Sequence, residues 1–416
     1  MRIAFIIEYL NYFKFYGPII SEVLRRGWKA ACWHNYVPRS GLKSYLFPHL
    51  EKAPSFDTGA VDCQTYTSES DLVHLVKESM VDAIVSLSPK TRIFPSKASK
   101  ITCTFVTLQN GLDTFLYGDP TVLASSDCTC LLSQYWLDWA SEYFAAQGEV
   151  VIKEFQLKFV PRVSLTGFPE LDTVAHIDPD EVRKRWNISQ KQPVVLLLPI
   201  TLANQHGSWP RIFAAPNRKS QFWNMIRFGG FKYWSLVEHG WNDTALTSAI
   251  RRFCDRNEAF LLVKGRRKDP IRPSLADKAD KVLYDEADFP PTILEALSVS
   301  SLCIHFYSTI ALEAAFTGCY GLCIDRPSVD SSGKVPLYTR MWRHGRPGHV
   351  YNYRGVTDWW TIPQVIEDLP NRSLADFYLD SHARKAYVEK FLGCCDGQSS
   401  SRVLDTISDL VEQRSK

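Results

Sequence analysis

LCIHFYSTIALEAAFTGCYGLCID, residues 302–325, decides how the rest of the chain is read. Leu302 to His305 is an apolar run with the length of a buried strand, and Ser308-Thr309 stand where a helix N-cap belongs. Ile310, Leu312, Ala315 and Phe316 then recur at helical spacing, Gly318 fits a helix C-cap, and Gly321 to Asp325 returns as a second short strand. Strand, turn, helix and strand make a βαβ unit of a parallel sheet, so the helix N-terminus points into the crevice at the strand ends. Free backbone N–H groups, the helix dipole and two hydroxyls suit a phosphate or pyrophosphate there. Glu313, one turn further on, is placed to accept from both hydroxyls of a ribose. A capped structural helix with no ligand has the same local pattern.

Working outward, 416 residues suffice for two α/β domains, each with its own core. A net charge of +3 carries no global nucleic-acid signature. Eleven cysteines without a C-x-x-C pair, several inside apolar runs, read as reduced thiols of a cytoplasmic protein and not as a disulfide framework. Cys128-x-Cys130 and Cys394-Cys395 lack companions at zinc spacing, so no metal site is expected. No apolar run has the length of a membrane span.

Arg2 to Ile7 reads as the first strand. Glu8 to Gly17 reads as an aromatic loop, followed by a helix opened by Pro18 and ended at Gly27, and by a strand from Trp28 to Trp33. Further strands fall at 82–87, 101–108 and 127–132, the second running into Gln109-Asn110-Gly111. Val163-Ser-Leu-Thr-Gly167-Phe-Pro-Glu-Leu-Asp172 is a strand followed by T-G-x-P-x-x-D, which by itself can be an ordinary turn. Residues 208–234 interleave Arg211, Arg218, Lys219, Arg227 and Lys232 with eight aromatic side chains and contain no acid. That mixture suits an anionic membrane surface or a lipid-linked phosphate, a loop packed against a cleft, or, less well, single-stranded nucleic acid. Phe260 to Lys264 is a strand ending in Gly265-Arg266-Arg267, which can also be a solvated basic turn. The run 338–353 is a second basic stretch without an assigned chemistry, and Asp396-Gly-Gln-Ser-Ser-Ser-Arg402 precedes a terminal helix.

Taken in order, the G-P…R-R-G-W start, Q-N-G, T-G-x-P-x-x-D, V-K-G, Y-S-T-x-x-x-E-A and D-G-x-S-S-x-R resemble the GT-B superfamily. That superfamily includes GT-B glycosyltransferases, UDP-N-acetylglucosamine 2-epimerases and CDP-glycerol glycerophosphotransferases. The resemblance implies an α/β fold of two Rossmann-like domains facing across a cleft, with a C-terminal helix crossing back to the first. The expected division is 1–185 (acceptor side), 186–385 (nucleotide-donor side) and 386–416 (crossing helices). It implies a glycosyltransferase moving a sugar from a nucleotide-diphosphate donor to a glycan or lipid-linked acceptor, without metal or cofactor. The expected location is cytoplasmic, with peripheral contact at the inner face of a membrane through 208–234 as an open reading; no nucleic-acid partner is expected. Lys264, Arg266 and Arg267 are expected to neutralise the donor phosphates beside Ser308, Thr309 and Glu313. Glu8 is the first candidate for the acceptor-side base, Asp113 the second and His206 the third. Related enzymes carry a carboxylate or His where this chain has Asn110, and a His where it has Arg, which weighs against epimerase and glycerophosphotransferase chemistry. A protein that binds nucleotide sugars without catalysis is the alternative of another class.

Overall fold

The structure is a computed structural model and describes residues 1–9, 12–37, 61–112, 119–199, 243–265, 271, 273–284, 289, 291–325, 345–394 and 396–416. Two parallel sheets are present. The first is built from β1 (Arg2–Ile7), β2 (Lys29–Asn35), β3 (Asp62–Tyr66), β4 (Ala83–Ser86), β5 (Thr104–Leu108), β6 (Cys128–Leu131) and β7 (Val163–Leu165), in the order β3-β2-β1-β4-β5-β6-β7. The second holds β8 (Val194–Leu197), β9 (Phe260–Lys264), β10 (Lys281–Leu283), β11 (Leu302–His305), β12 (Tyr320–Ile324) and β13 (Thr357–Trp360), in the order β10-β9-β8-β11-β12-β13. Strands such as Ala-Ile-Val-Ser (β4) and Val-Val-Leu-Leu (β8) are buried at every position, as a parallel sheet covered on both faces requires. Strand order reverses between β1 and β4 in one sheet and between β8 and β11 in the other. In open α/β sheets ligands bind outside the carboxyl ends of the strands at such switch points. The loops that follow β1, β4, β8 and β11 are therefore the places to look.

Inner-layer residues of both sheets, among them Phe5, Ile19, Phe168, Leu312 and Tyr387, belong to one continuous apolar cluster. The outer layers are separate, around Trp33 and Phe105 in one domain and around Phe253 and Phe306 in the other. The first helix corrects the sequence reading: it begins at Phe13, not at Pro18, and carries Pro18 inside it. Burial of Phe13, Tyr16, Ile19, Ile20 and Val23 on one face outweighs the backbone hydrogen bond that proline cannot make. The consequence is that Lys14 lies in the first turn of a helix instead of a loop. Gly17 allows that helix to approach the second domain, because a Cβ there would lie 2.2 Å from the ring of Phe289.

The chain ends by returning to the first domain. The Ser381–Leu392 helix is capped by Asp380. Its last turn accepts from Ser133 Oγ (2.8 Å) and Trp136 Nε1 (2.7 Å) of the first domain. The final helix, Ser399–Ser415, lies along the first helix through Arg26, which donates to Asp405 at 2.8 Å and to Ser401 Oγ at 2.6 Å.

Candidate functional site

The two motifs at 166–172 and 396–402, unconnected in sequence, meet. The 3-10 helix Pro169–His176 places Asp172 under the N-terminus of the final helix, where its carboxylate accepts from Ser399 N (3.2 Å) and Ser400 N (2.7 Å). These are two of the donors that a helix start leaves without intrahelical partners. Gly167, at φ +82°, is needed for the approach, since a Cβ there would fall 2.6 Å from Ser399 Oγ and 2.9 Å from the Cys394 carbonyl. The T-G-x-P-x-x-D and D-G-x-S-S-x-R elements thus form one joint that fastens the crossing segment.

At the switch point of the second sheet, β11 ends in the buried His305 and a turn leads into the Ile310–Thr317 helix. Tyr307 takes φ +31°, a costly backbone for a side-chain-bearing residue. Its hydroxyl is anchored by the Asp325 carboxylate and by Trp359 Nε1 (3.2 Å). Ser308 Oγ accepts from Ile310 N at 3.4 Å, whereas the Thr309 side chain makes no capping bond. Gly318 closes the helix in the left-handed conformation expected of it. His305 has no hydrogen-bond partner for either nitrogen, and burial pulls its pKa down to about 3, so it is neutral.

Glu313 is 1 % exposed and does not face open solvent. Lys14 of the first helix lies 3.3 Å from its Oε1 and 3.2 Å from Oε2 of Glu170, which is 0 % exposed. Burial first, and the charge of Glu313 second, push the Glu170 carboxyl up to about 8, against a lowering by Lys14. One ammonium therefore serves two buried carboxylates contributed by different parts of the fold. No local pattern in the sequence marks the contact of Lys14 with Glu313, which spans 299 residues.

Lys264 ends β9, two strands from β11, which separates the strand ends by about 10 Å. Arg266, Arg267, Asp113 and His206 lie outside the described residues, as do the 208–234 segment and 338–344 of the second basic stretch. Glu8 follows β1 at the switch point of the first sheet, half-buried, accepting from Tyr12 Oη (3.2 Å) and Ser88 Oγ (3.4 Å). Burial and the neighbouring Glu8 raise the Tyr12 phenol far above its usual range, so it remains a donor. His34, the penultimate residue of β2, is buried against the Phe13 ring and held near pKa 4 by burial. Gln109 is structural: its side chain accepts from Leu132 N and donates to the Gly111 carbonyl. Among the described residues no three His, Cys, Asp or Glu side chains are grouped to hold a metal, and no helix is long and apolar enough to cross a membrane.

With this geometry in view, the chain has the GT-B fold: two parallel α/β sheets with crevice ends at their switch points and a terminal helix returned to the first domain. No family model matches the sequence, and no curated protein does. Solved structures do. The wall teichoic acid polymerase TagF superposes with a TM-score of 0.54 at 11% identity, over 100% of this chain and 90% of that one. The UDP-GlcNAc 2-epimerase of Neisseria meningitidis bound to UDP-GlcNAc gives 0.54 at 11%, over 98% and 100%. The S. aureus MnaA–UDP structure gives 0.52 at 12%, over 99% and 97%. Identities this low establish the architecture alone.

Proposed function

We propose that the protein is a glycosyltransferase that moves a sugar from a nucleotide-diphosphate donor to a hydroxyl of a glycan or lipid-linked acceptor. The observation that carries the reading is the turn between β11 and the Ile310 helix. It lies at a switch point, presents a helix N-terminus and an uncommitted Thr309 side chain, and has a carboxylate one turn in. The two structural neighbours that hold UDP or UDP-GlcNAc support a nucleotide-sugar donor.

In this reading the diphosphate rests on Ser308 and Thr309, Glu313 holds the ribose, and Lys264 with Arg266 and Arg267 offsets charge developing on the leaving group. The acceptor oxygen bonds to the anomeric carbon as the bond from that carbon to the diphosphate oxygen breaks. The acceptor proton passes to a base, with Glu8 preferred to Asp113 and then to His206. In this reading no metal or cofactor takes part and the acceptor side works in the cytoplasm, with a membrane surface or lipid-linked phosphate one of the partners that the composition of 208–234 suits. A second reading, nucleotide-sugar binding without turnover, is favoured by Asn110, which stands where related enzymes carry a carboxylate or His.

Calorimetric titration with UDP, CDP and GDP tests the site. Glu313→Ala should weaken the nucleotide that binds by about 1.5–3 kcal/mol, the loss expected for hydrogen bonds to a charged group; unchanged affinity removes Glu313 from the site. Incubation with a panel of nucleotide sugars separates the two readings, because a transferase slowly hydrolyses its donor and a binding protein does not.

A further inference from the structure

Three segments that are distant in sequence converge on one ammonium. The first helix supplies Lys14, the 3-10 helix after β7 supplies Glu170, and the donor-side helix supplies Glu313. Both carboxylates are almost fully buried, and Lys14, whose side chain is 20 % exposed, also lies 4.5 Å above the Phe15 ring. Among the described residues neither Glu170 oxygen has a hydrogen bond, so Lys14, at ion-pair distance, is the group there that offsets its charge. A buried polar group left without hydrogen bonds is costly and calls for an explanation.

We propose that Glu170 is a positioning residue, whose proton decides which of two carboxylates holds Lys14 and thereby whether Glu313 is available to a nucleotide. This rests on the assignment of Glu313 to the ribose. With Glu170 protonated, Lys14 stays on Glu313 and covers it. When Glu170 ionises, its buried charge has no other partner among the described residues, so it draws the ammonium over and Glu313 is released to accept the ribose hydroxyls. In a low-dielectric interior, two carboxylates beside one ammonium do not both stay ionised at little cost. Burial and the Glu313 charge place the exchange near neutral to mildly alkaline pH, about 8. Among the described residues on the neighbouring elements, Arg402 of the final helix donates through Nη2 to Asp396 and leaves its buried Nη1 without a partner; on the same 3-10 helix, Asp172 is held by the Ser399 and Ser400 amides and His176 points to solvent. Behind Glu313 lies Cys303, whose thiol burial keeps protonated.

The test is calorimetric titration of the full chain with whichever of UDP, CDP and GDP it binds, at several values between about pH 6.5 and 9. The wild type should gain about tenfold in affinity across this range, which is 1.4 kcal/mol. Glu170→Gln, which keeps the shape of the protonated acid, should hold the affinity at the low-pH value throughout. It also controls for ionisation of the nucleotide itself. A wild-type pH profile in Glu170→Gln overturns the inference. Should that variant fail to fold, Lys14→Met serves, because without the ammonium the profile must also flatten; a retained profile is equally fatal. Glu313→Ala, measured at one pH, separates the two levels. Unchanged affinity there sinks the ribose assignment, whereas lost affinity together with a retained profile in Glu170→Gln sinks only the switch.

Discussion

Glu170 and Asp172 sit two residues apart on the same short 3-10 helix, both largely buried and both at ends of long-range contacts, yet they are held in opposite ways. Asp172 faces the amides of a helix N-terminus, donors that suit the charged form and cannot leave. Burial raises its pKa, but the Ser400 and Ser399 bonds work against the rise. Glu170 faces a side-chain ammonium and a second carboxylate, and nothing else among the described residues offsets its charge. A buried carboxylate is thus a fastener where rigid backbone donors meet it, and a titrating group where the only offset is a side chain that a neighbour also wants.

The largest effect expected from this contrast is on stability against pH. The folded-state pKa of Glu170, about 8, is above the ordinary 4.5 of the unfolded chain. The folded state therefore holds a proton that the unfolded state has released, and the stabilisation is complete below about pH 4.5 and lost as pH rises toward 8. At roughly 1.4 kcal/mol per pK unit, the rise from 4.5 to about 8 sets an upper bound of about 5 kcal/mol on the difference. Glu170→Gln should abolish that slope and be the more stable protein at alkaline pH in urea denaturation. Parallel curves for the two proteins would erase the contrast with Asp172.

Next in size is Asp172→Ala, which should cost about 2 kcal/mol at neutral pH by orphaning two helix-start amides, with Asp172→Asn intermediate because an amide oxygen still accepts. The same urea experiment reads it, and a loss no greater than that of a surface substitution would show that the joint is held by apolar packing alone. Smallest is Asp405→Asn, which removes the exposed partner of Arg26 between the first and final helices. A change under about 1 kcal/mol is expected for such a pair; a larger one would mean that surface charges, and not the buried joint, fasten the crossing helix.

How much of this was legible beforehand follows from where the information lies. The 302–325 stretch was read correctly as strand, turn, helix closed at Gly318 and strand because each signal in it is local: apolar run, helical period, glycine; the side-chain N-cap expected from Thr309 is not made. The start of the first helix was misread because a proline and a run of aromatics look like a loop until the inner layer that buries them is present. β13 was missed for a related reason, since Thr-Asp-Trp-Trp becomes a strand only beside β12. The motifs at 166–172 and 396–402 were each noticed, but that one caps the other is a fact about space.

The sequence by itself determined the α/β class and the strand, turn, helix and strand of 302–325, because periodicity and glycine placement act over a few residues; the pair of Rossmann-like domains came from the resemblance of its ordered motifs. Only the tertiary structure decided that Glu313 lies closed under Lys14 and that Glu170 shares the same ammonium. The environment of an ionisable group is set by whatever the fold packs against it, and here those neighbours arrive from about 140 and 300 residues away.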